Sequence, residues 1–143
     1  MREVRERGID VFGELLGDDN RTGLRNEMQS ESRQFGSQTA EFAADFAFGT
    51  IWPRAGLERK QRSLVVLGIL IAQRQTEELK IHVGVALSNG LTKVELEEVL
   101  YQSLPYAGFP AVNSAKVAML EALRNLGVET AGTPVTLAAG ASE

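Results

Sequence analysis

Residues 76–104 read TEELKIHVGVALSNGLTKVELEEVLYQSL, and this stretch predicts two helices joined by a tight turn. Thr76 can cap a helix that runs to Ser88, and Asn89-Gly90 supplies residues that commonly end helices. Thr92-Lys93-Val94-Glu95 has the pattern of a capping box, in which two side chains satisfy reciprocal backbone N–H groups. Apolar residues recur at helical spacing in the second helix. The stretch therefore favours an all-α fold.

Two more helices are predicted beside this pair. Residues 58–73 form one of them, and its centre, residues 64–71, is apolar all round. Such a helix is usually buried on every side. Pro110 suits the first turn of a last helix that ends near Asn125.

The N-terminal part of the chain predicts two amphipathic helices. The first ends at residues 17–20, and residues 22–29 are polar and weakly patterned. The second spans about residues 30–47 and is followed by a loop over residues 49–56. The residues expected to face inward are Val4, Val11, Phe12, Leu15 and Leu16 in the first helix, and Phe35, Thr39, Phe42, Ala43 and Phe46 in the second.

Length and composition limit the class of protein. A chain of 143 residues fits one domain, which we place at residues 1–128, with a loosely ordered tail over residues 129–143. There is no cysteine, which excludes disulfides, thiolate metal sites and thiol catalysis. The net charge of -4 gives no nucleic-acid footprint. The charged N-terminus does not resemble a signal peptide, and the longest apolar run is too short to cross a membrane, so we expect a cytoplasmic protein.

His82, the only histidine, is the first candidate for chemistry. Glu78 lies four residues earlier on the same face of the predicted helix. Its carboxylate could orient the imidazole and raise its pKa, which would make His82 a general acid or base near neutral pH. The alternative is a structural histidine that is bonded to its own helix or to a neighbour, and spacing alone favours this alternative.

Cations and aromatic residues supply weaker signals. Arg54, Arg59 and Arg62 flank a helix start, where positive charge opposes the helix dipole, so at least one of them is expected to face an anion or a carboxylate. Arginine binds carboxylates bidentately, but a solvated basic face is an equal alternative. The aromatic and amide candidates are Trp52, for which an interface or core position is favoured, and Tyr106, Phe109 and Asn113, for which a simple helix–helix turn is the alternative.

Several motifs in order resemble the carboxymuconolactone decarboxylase family, in the alkylhydroperoxidase D-like superfamily, over roughly residues 4–128. The set is I-W-x-R, R-S-L-V, E-L-x-x-H, N-G-L-T and Y-x-G-x-P-A-x-N. The resemblance implies an all-helical subunit of a trimer or hexamer, with no cofactor and a small carboxylate or lactone as substrate. The namesake reaction removes CO2 from γ-carboxymuconolactone in aromatic catabolism. By position, His82 matches the family's site histidine, Arg54 and Arg62 match its cationic residues, and Trp52 and Glu78 match motif positions.

Departures from related patterns narrow this expectation. Thiol peroxidases of the superfamily have cysteines where this chain has Gln75 and Glu78, so a peroxide-reducing nucleophile is lacking. Family decarboxylases commonly have an arginine two residues after the histidine, and here that position is Gly84. Its absence removes a carboxylate clamp.

Three functions stay open at this point. The first is decarboxylation of γ-carboxymuconolactone or a related lactone, with His82 as proton donor, assisted by Glu78, and an arginine holding a retained carboxylate. The second is another proton-transfer, hydrolytic or ring-opening step on a different small acid, which Gly84 favours. The third is a non-enzymatic oligomeric binding protein.

Overall fold

The structure, a computed structural model, describes residues 1–31 and 34–131. Within these residues the chain forms α-helices and one π-helical segment, with no strand, which confirms the all-α prediction. The elements are α1 (Arg2–Leu16), α2 (Asp18–Gln29), α3 (Gln38–Phe42), the π segment (Ala43–Ile51), α4 (Arg59–Ala72), α5 (Thr76–Ser88), α6 (Lys93–Ala107) and α7 (Phe109–Asn125).

The turn between α5 and α6 follows the sequence pattern. The backbone N–H of Glu95 donates to the Thr92 hydroxyl at 3.2 Å, and the Thr92 N–H donates to the Glu95 carboxylate at 2.8 Å, so the predicted capping box is confirmed. Gly90 supplies the turn with φ 94. Thr76 was expected to cap α5, but it is the first helical residue and makes no side-chain cap.

The main core lies between α4, α5, α6 and α7. Leu67 and Ile71 on α4 are fully buried, and they meet apolar residues from the three other helices. This packing holds the part of α5 that carries His82. The fully or nearly fully buried members are Leu67, Ile71, Leu79, Val83, Ala86, Leu91, Leu96, Ala115, Ala118 and Met119.

The prediction that the middle of α4 is buried on every side is wrong for the single chain. Leu64, Val65 and Ile69 are 40%, 54% and 50% exposed. Val65 and Ile69 lie opposite the buried face of α4, which carries Leu67 and Ile71, whereas Leu64 lines a groove shared with α6. Val65 and Ile69 form an apolar surface strip, which we call the α4 strip.

The polar segment after α1 is a helix that the sequence pattern did not reveal. Gly17, with φ 97, ends α1, and α2 begins at the next residue. Leu24 is the buried residue of α2. A helix that buries so little carries almost no apolar periodicity, which explains why the pattern missed it.

The prediction for residues 30–47 is wrong in its start and in its inward face. Helical structure begins at Gln38 and continues past the expected loop start to Ile51. Phe35, Phe42 and Phe46 are exposed, whereas Ala40 and Ala44 are buried. Small residues are needed there because α1 crosses the π segment at very close range, and the wider π turn also shifts the register. Of the other residues expected inward, Thr39 is exposed and Ala43 half-buried.

The expected tail falls mostly outside the described residues. Val128 packs against the main core, and the Lys93 ammonium donates to the main-chain oxygens of Glu129 at 3.1 Å and Ala131 at 2.7 Å. Residues 132–143 are not described. The boundary at 128–129 stays a prediction.

Candidate active site

A cavity of about 150 Å³ lies between the end of the π segment and the first half of α4. Its walls are mostly apolar, and its one charged residue is Arg62. We call this cavity the Arg62 pocket. It is lined by Ile51, Trp52, Leu57, Arg62, Val65 and Val66.

Trp52 forms the inner wall of the Arg62 pocket. It is 8% exposed and belongs to a small core cluster with Val11 and Leu15 of α1 and Val85 of α5. The expected core position is therefore confirmed, and the same residue also lines a cavity. The opposite side is open, because Ile51, Leu57 and Val65 are all substantially exposed.

Arg62 is half-buried and carries a positive charge without a carboxylate partner among the described residues. One terminal nitrogen donates to the main-chain oxygen of Arg54 at 2.7 Å, and the buried Nε has no hydrogen-bond partner. A guanidinium that no described carboxylate neutralises can bind a carboxylate ligand through its terminal nitrogens. The geometry therefore suits a bound anion at this guanidinium.

The other cations at the start of α4 are balanced internally. Arg59 pairs with Glu14 at 2.6 Å, and Lys60 pairs with Glu95 at 2.7 Å. The carboxylate expected for at least one of Arg54, Arg59 and Arg62 is thus found beside Arg59. Arg54 is exposed and contributes its main-chain oxygen, but its side chain does not line the Arg62 pocket. A role for the Arg54 guanidinium in binding substrate stays a prediction.

His82 lies mid-way along α5 and is half-buried. Its Nδ1 is buried and has no hydrogen-bond partner, so no described neighbour bonds that nitrogen. Burial lowers the pKa of His82 below its ordinary value, and the nearby charge of Glu78 raises the pKa by a smaller amount. The expectation of a raised pKa is therefore wrong, because the exposed Glu78 carboxylate does not outweigh desolvation.

His82 and the Arg62 pocket are neighbours through Val85, although His82 is not among the lining residues. Val85 is one helical turn after His82 on the same face of α5. Val85 packs with Trp52 and Val66, which both line the pocket. His82 therefore stands next to the cluster that forms the inner wall.

The single chain does not bring Tyr106, Phe109 and Asn113 to this site. All three are exposed. Lys80 reaches Glu121 at 3.4 Å and Gly84 faces Leu126, so α5 and α7 run in the same direction. His82 is therefore close to the level of residue 123, and Asn113 lies about 15 Å away along α7. Their role in binding substrate stays a prediction for an assembled protein.

Two polar residues near the site bond each other. Ser63 is 1% exposed, and its hydroxyl accepts from the Asn89 amide at 2.9 Å. This bond ties the first turns of α4 to the end of α5 and leaves Ser63 in a structural role. Sequence reasoning missed the apolar pocket residues Ile51, Leu57, Val65 and Val66. The available signal was that Ile51 adjoins Trp52 and that Val65 and Val66 follow Arg62 by one helical turn.

Residues 1–31 and 34–131 contain no group of three or more histidine, aspartate or glutamate side chains placed to hold a metal ion. No helix in these ranges combines the length and apolar character that a membrane span requires.

Comparisons with known proteins agree with the motif set. The model of the carboxymuconolactone decarboxylase family matches residues 37–122. The chain is 34% identical to a 4-carboxymuconolactone decarboxylase of Acinetobacter baylyi over 86% of this chain and 89% of the relative. It is 32% identical to a nitrosuccinic acid decarboxylase of Metarhizium robertsii over 87% of this chain and 85% of the relative. The family model matches more than half of this chain, and each of the two relatives is matched over most of its length. The chain therefore belongs to the carboxymuconolactone decarboxylase family.

Proposed function

We propose that this protein is a decarboxylase that acts without a cofactor on γ-carboxymuconolactone or a related carboxylated lactone. The observation that carries the proposal is the guanidinium of Arg62, a half-buried cation that lines an apolar pocket and has no carboxylate partner within residues 1–31 and 34–131. Relatives that span most of the chain are decarboxylases of two different acids.

Arg62 is the proposed anchor for a carboxylate that the substrate retains. A guanidinium forms two parallel hydrogen bonds to a carboxylate, and its bond to the Arg54 oxygen fixes its orientation. The carboxylate that leaves would lie against Trp52 and the valines of the pocket. Apolar surroundings favour the loss of that charge as CO2 forms.

His82 is the proposed proton donor. When CO2 leaves the lactone, the electron pair of the broken carbon–carbon bond delocalises through the ring double bond to the lactone carbonyl. A proton must then reach carbon, and a protonated imidazole beside the Trp52 wall can deliver it. Because burial lowers the pKa of free His82, the bound carboxylate has to help keep the imidazole protonated. Glu78 has the same electrostatic effect.

Gly84 lies away from the Arg62 pocket. A residue two positions after His82 points to the opposite side of α5, and a Cβ at Gly84 would touch Leu126 of the C-terminal region. The lack of an arginine at position 84 therefore does not affect Arg62 or its pocket. The presence of Arg62 favours decarboxylation over the alternative of another reaction on a different acid.

Assembly into a homotrimer or homohexamer is part of the proposal. The α4 strip is apolar and exposed in the single chain, and contiguous exposed apolar surface commonly marks a protein contact. A role in aromatic catabolism rests on the family resemblance, and we propose a cytoplasmic location for the enzyme.

The test is release of CO2 from γ-carboxymuconolactone by the purified protein, followed together with loss of the substrate. Turnover by the wild type and its loss in His82→Ala support the proposal. Full turnover by His82→Ala would remove His82 from the proton-donor role. Binding of the lactone with no CO2 released would favour a binding protein.

A further inference from the structure

Arg7 of α1 holds the end of the π segment. Its guanidinium donates twice to the main-chain oxygen of Gly49, from Nε at 3.0 Å and from Nη2 at 2.8 Å. Carbonyl groups in the last turn of a helical segment lack partners within the segment and carry partial negative charge. A cation with two donors satisfies such a carbonyl. The residues that follow, Ile51 and Trp52, are pocket residues.

The contact between α1 and the π segment is also close at the backbone level. A Cβ at Gly8 would lie 1.8 Å from the Ala44 oxygen, and a Cβ at Gly49 would lie 2.6 Å from the Val4 oxygen. Both distances are impossible for real side chains, so each position requires glycine. The two backbones therefore meet directly, and movement of α1 would be passed to the π segment.

The same face of α1 reaches the other wall of the Arg62 pocket. Val11, one turn after Arg7, packs against Trp52. Glu14, a further turn along, pairs with Arg59 at 2.6 Å in the first turn of α4, and the same helix carries Arg62. One helical face thus contacts the π segment, Trp52 and the start of α4.

We propose that Arg7 is a positioning residue for the Arg62 pocket, with Glu14 as its counterpart on the opposite wall. Together they set the separation between Trp52 and Arg62, and so between the apolar wall and the carboxylate anchor. The helix that carries them lies ahead of residues 37–122, which the family model matches. The kinetic part of this inference rests on the proposed function, and the positioning itself does not.

The variant Arg7→Gln tests the proposal through Trp52, the only tryptophan of the chain. We expect a red shift of the tryptophan emission and stronger quenching by acrylamide in the folded protein, because the wall that shields the indole loosens. With γ-carboxymuconolactone as substrate, we expect kcat/KM to fall about tenfold, since a misplaced anchor costs orientation. Arg7→Lys, which retains the charge and a single donor nitrogen, should recover part of both losses.

The matched control is Arg25→Gln. Arg25 pairs with Glu6 at 3.1 Å and also ties α1 to a neighbouring element, but away from the pocket. It should leave emission, quenching and kcat/KM unchanged. A purely structural role for Arg7 predicts a lower unfolding midpoint with unaltered emission and quenching below the transition, and that result overturns the proposal.

The two proposals fail separately. If the wild type releases no CO2, the proposed function fails, and the tryptophan measurements on Arg7→Gln still decide the positioning role. A double exchange, Glu14→Arg with Arg59→Glu, should restore the emission that either single change alters. Unaltered tryptophan emission and quenching in Arg7→Gln and in both single changes would overturn the role of α1.

Discussion

The guanidinium of Arg62 and the main-chain oxygen of Arg54 are 2.7 Å apart, and this bond links α4 to the loop after Trp52. The bond uses one terminal nitrogen. Nε stays buried without a partner, and no carboxylate of the described chain pairs with Arg62. A cation oriented by a neutral carbonyl retains its full charge for a ligand, whereas the neighbouring Arg59 is already neutralised by Glu14.

Replacement of Arg62 by glutamine should weaken substrate binding. Loss of a charged hydrogen-bonded contact to a carboxylate is expected to raise KM for γ-carboxymuconolactone about 10–100-fold. Steady-state kinetics of CO2 release measure this. The control is Lys60→Gln, two residues earlier, whose exposed pair with Glu95 lies outside the pocket and contributes little. An equal rise in KM in both variants would contradict the specific role of Arg62.

The pH at which kcat/KM falls should reflect the burial of His82. A proton donor is active while protonated, so the rate should fall as pH rises through the pKa of the free enzyme. Burial places that fall below the ordinary histidine value of 6.5. Glu78→Gln removes the charge that opposes this shift, so the fall should move to still lower pH.

Glu77→Gln provides the comparison for the pH profile. Glu77 pairs with Lys80 at 2.9 Å and lies on a different face of α5 from His82. Its profile should match that of the wild type. A profile of Glu78→Gln that shifts to higher pH, or does not move, would show that another group controls the rate.

Gly8→Ala should destabilise the protein strongly. The new methyl group would overlap the Ala44 oxygen, so α1 has to move away from the π segment, at a cost of about 2–3 kcal/mol in the free energy of unfolding. Urea unfolding measures this cost. Gly23→Ala on α2 meets open space and should instead stabilise by about 0.5–1 kcal/mol. A Gly8→Ala protein as stable as the wild type would contradict the close contact.

Ile69→Glu should dissociate the assembly that we propose on the α4 strip. Ile69 is 50% exposed, and a charge there would be buried against a second copy. Size exclusion with light scattering at micromolar concentration should give three or six chains of 15.5 kDa for the wild type and a smaller species for the variant. The control is Val117→Glu, a change at an exposed position of α7. A monomeric wild-type protein would contradict the proposed assembly.

Most of the helical framework could be predicted from the chain alone. The bounds of α5, the capping box at Thr92 and Glu95, and the start of α7 near Pro110 depend on local patterns, because caps and breaks act over a few neighbouring residues. The order of motifs also led to the family and to His82, Arg62 and Trp52 as candidates.

The tertiary structure decided what local pattern does not contain. It showed α2, a helix that buries little apolar surface. It also showed that Ala40 and Ala44 are buried at and before the π segment, where the sequence predicted buried phenylalanines. It lowered the pKa of His82 where spacing to Glu78 suggested the opposite, because burial depends on distant packing. It also distinguished the roles of Arg62 and Arg59. Only in the folded chain does Glu14 lie beside the guanidinium of Arg59, while the guanidinium of Arg62 lines a pocket.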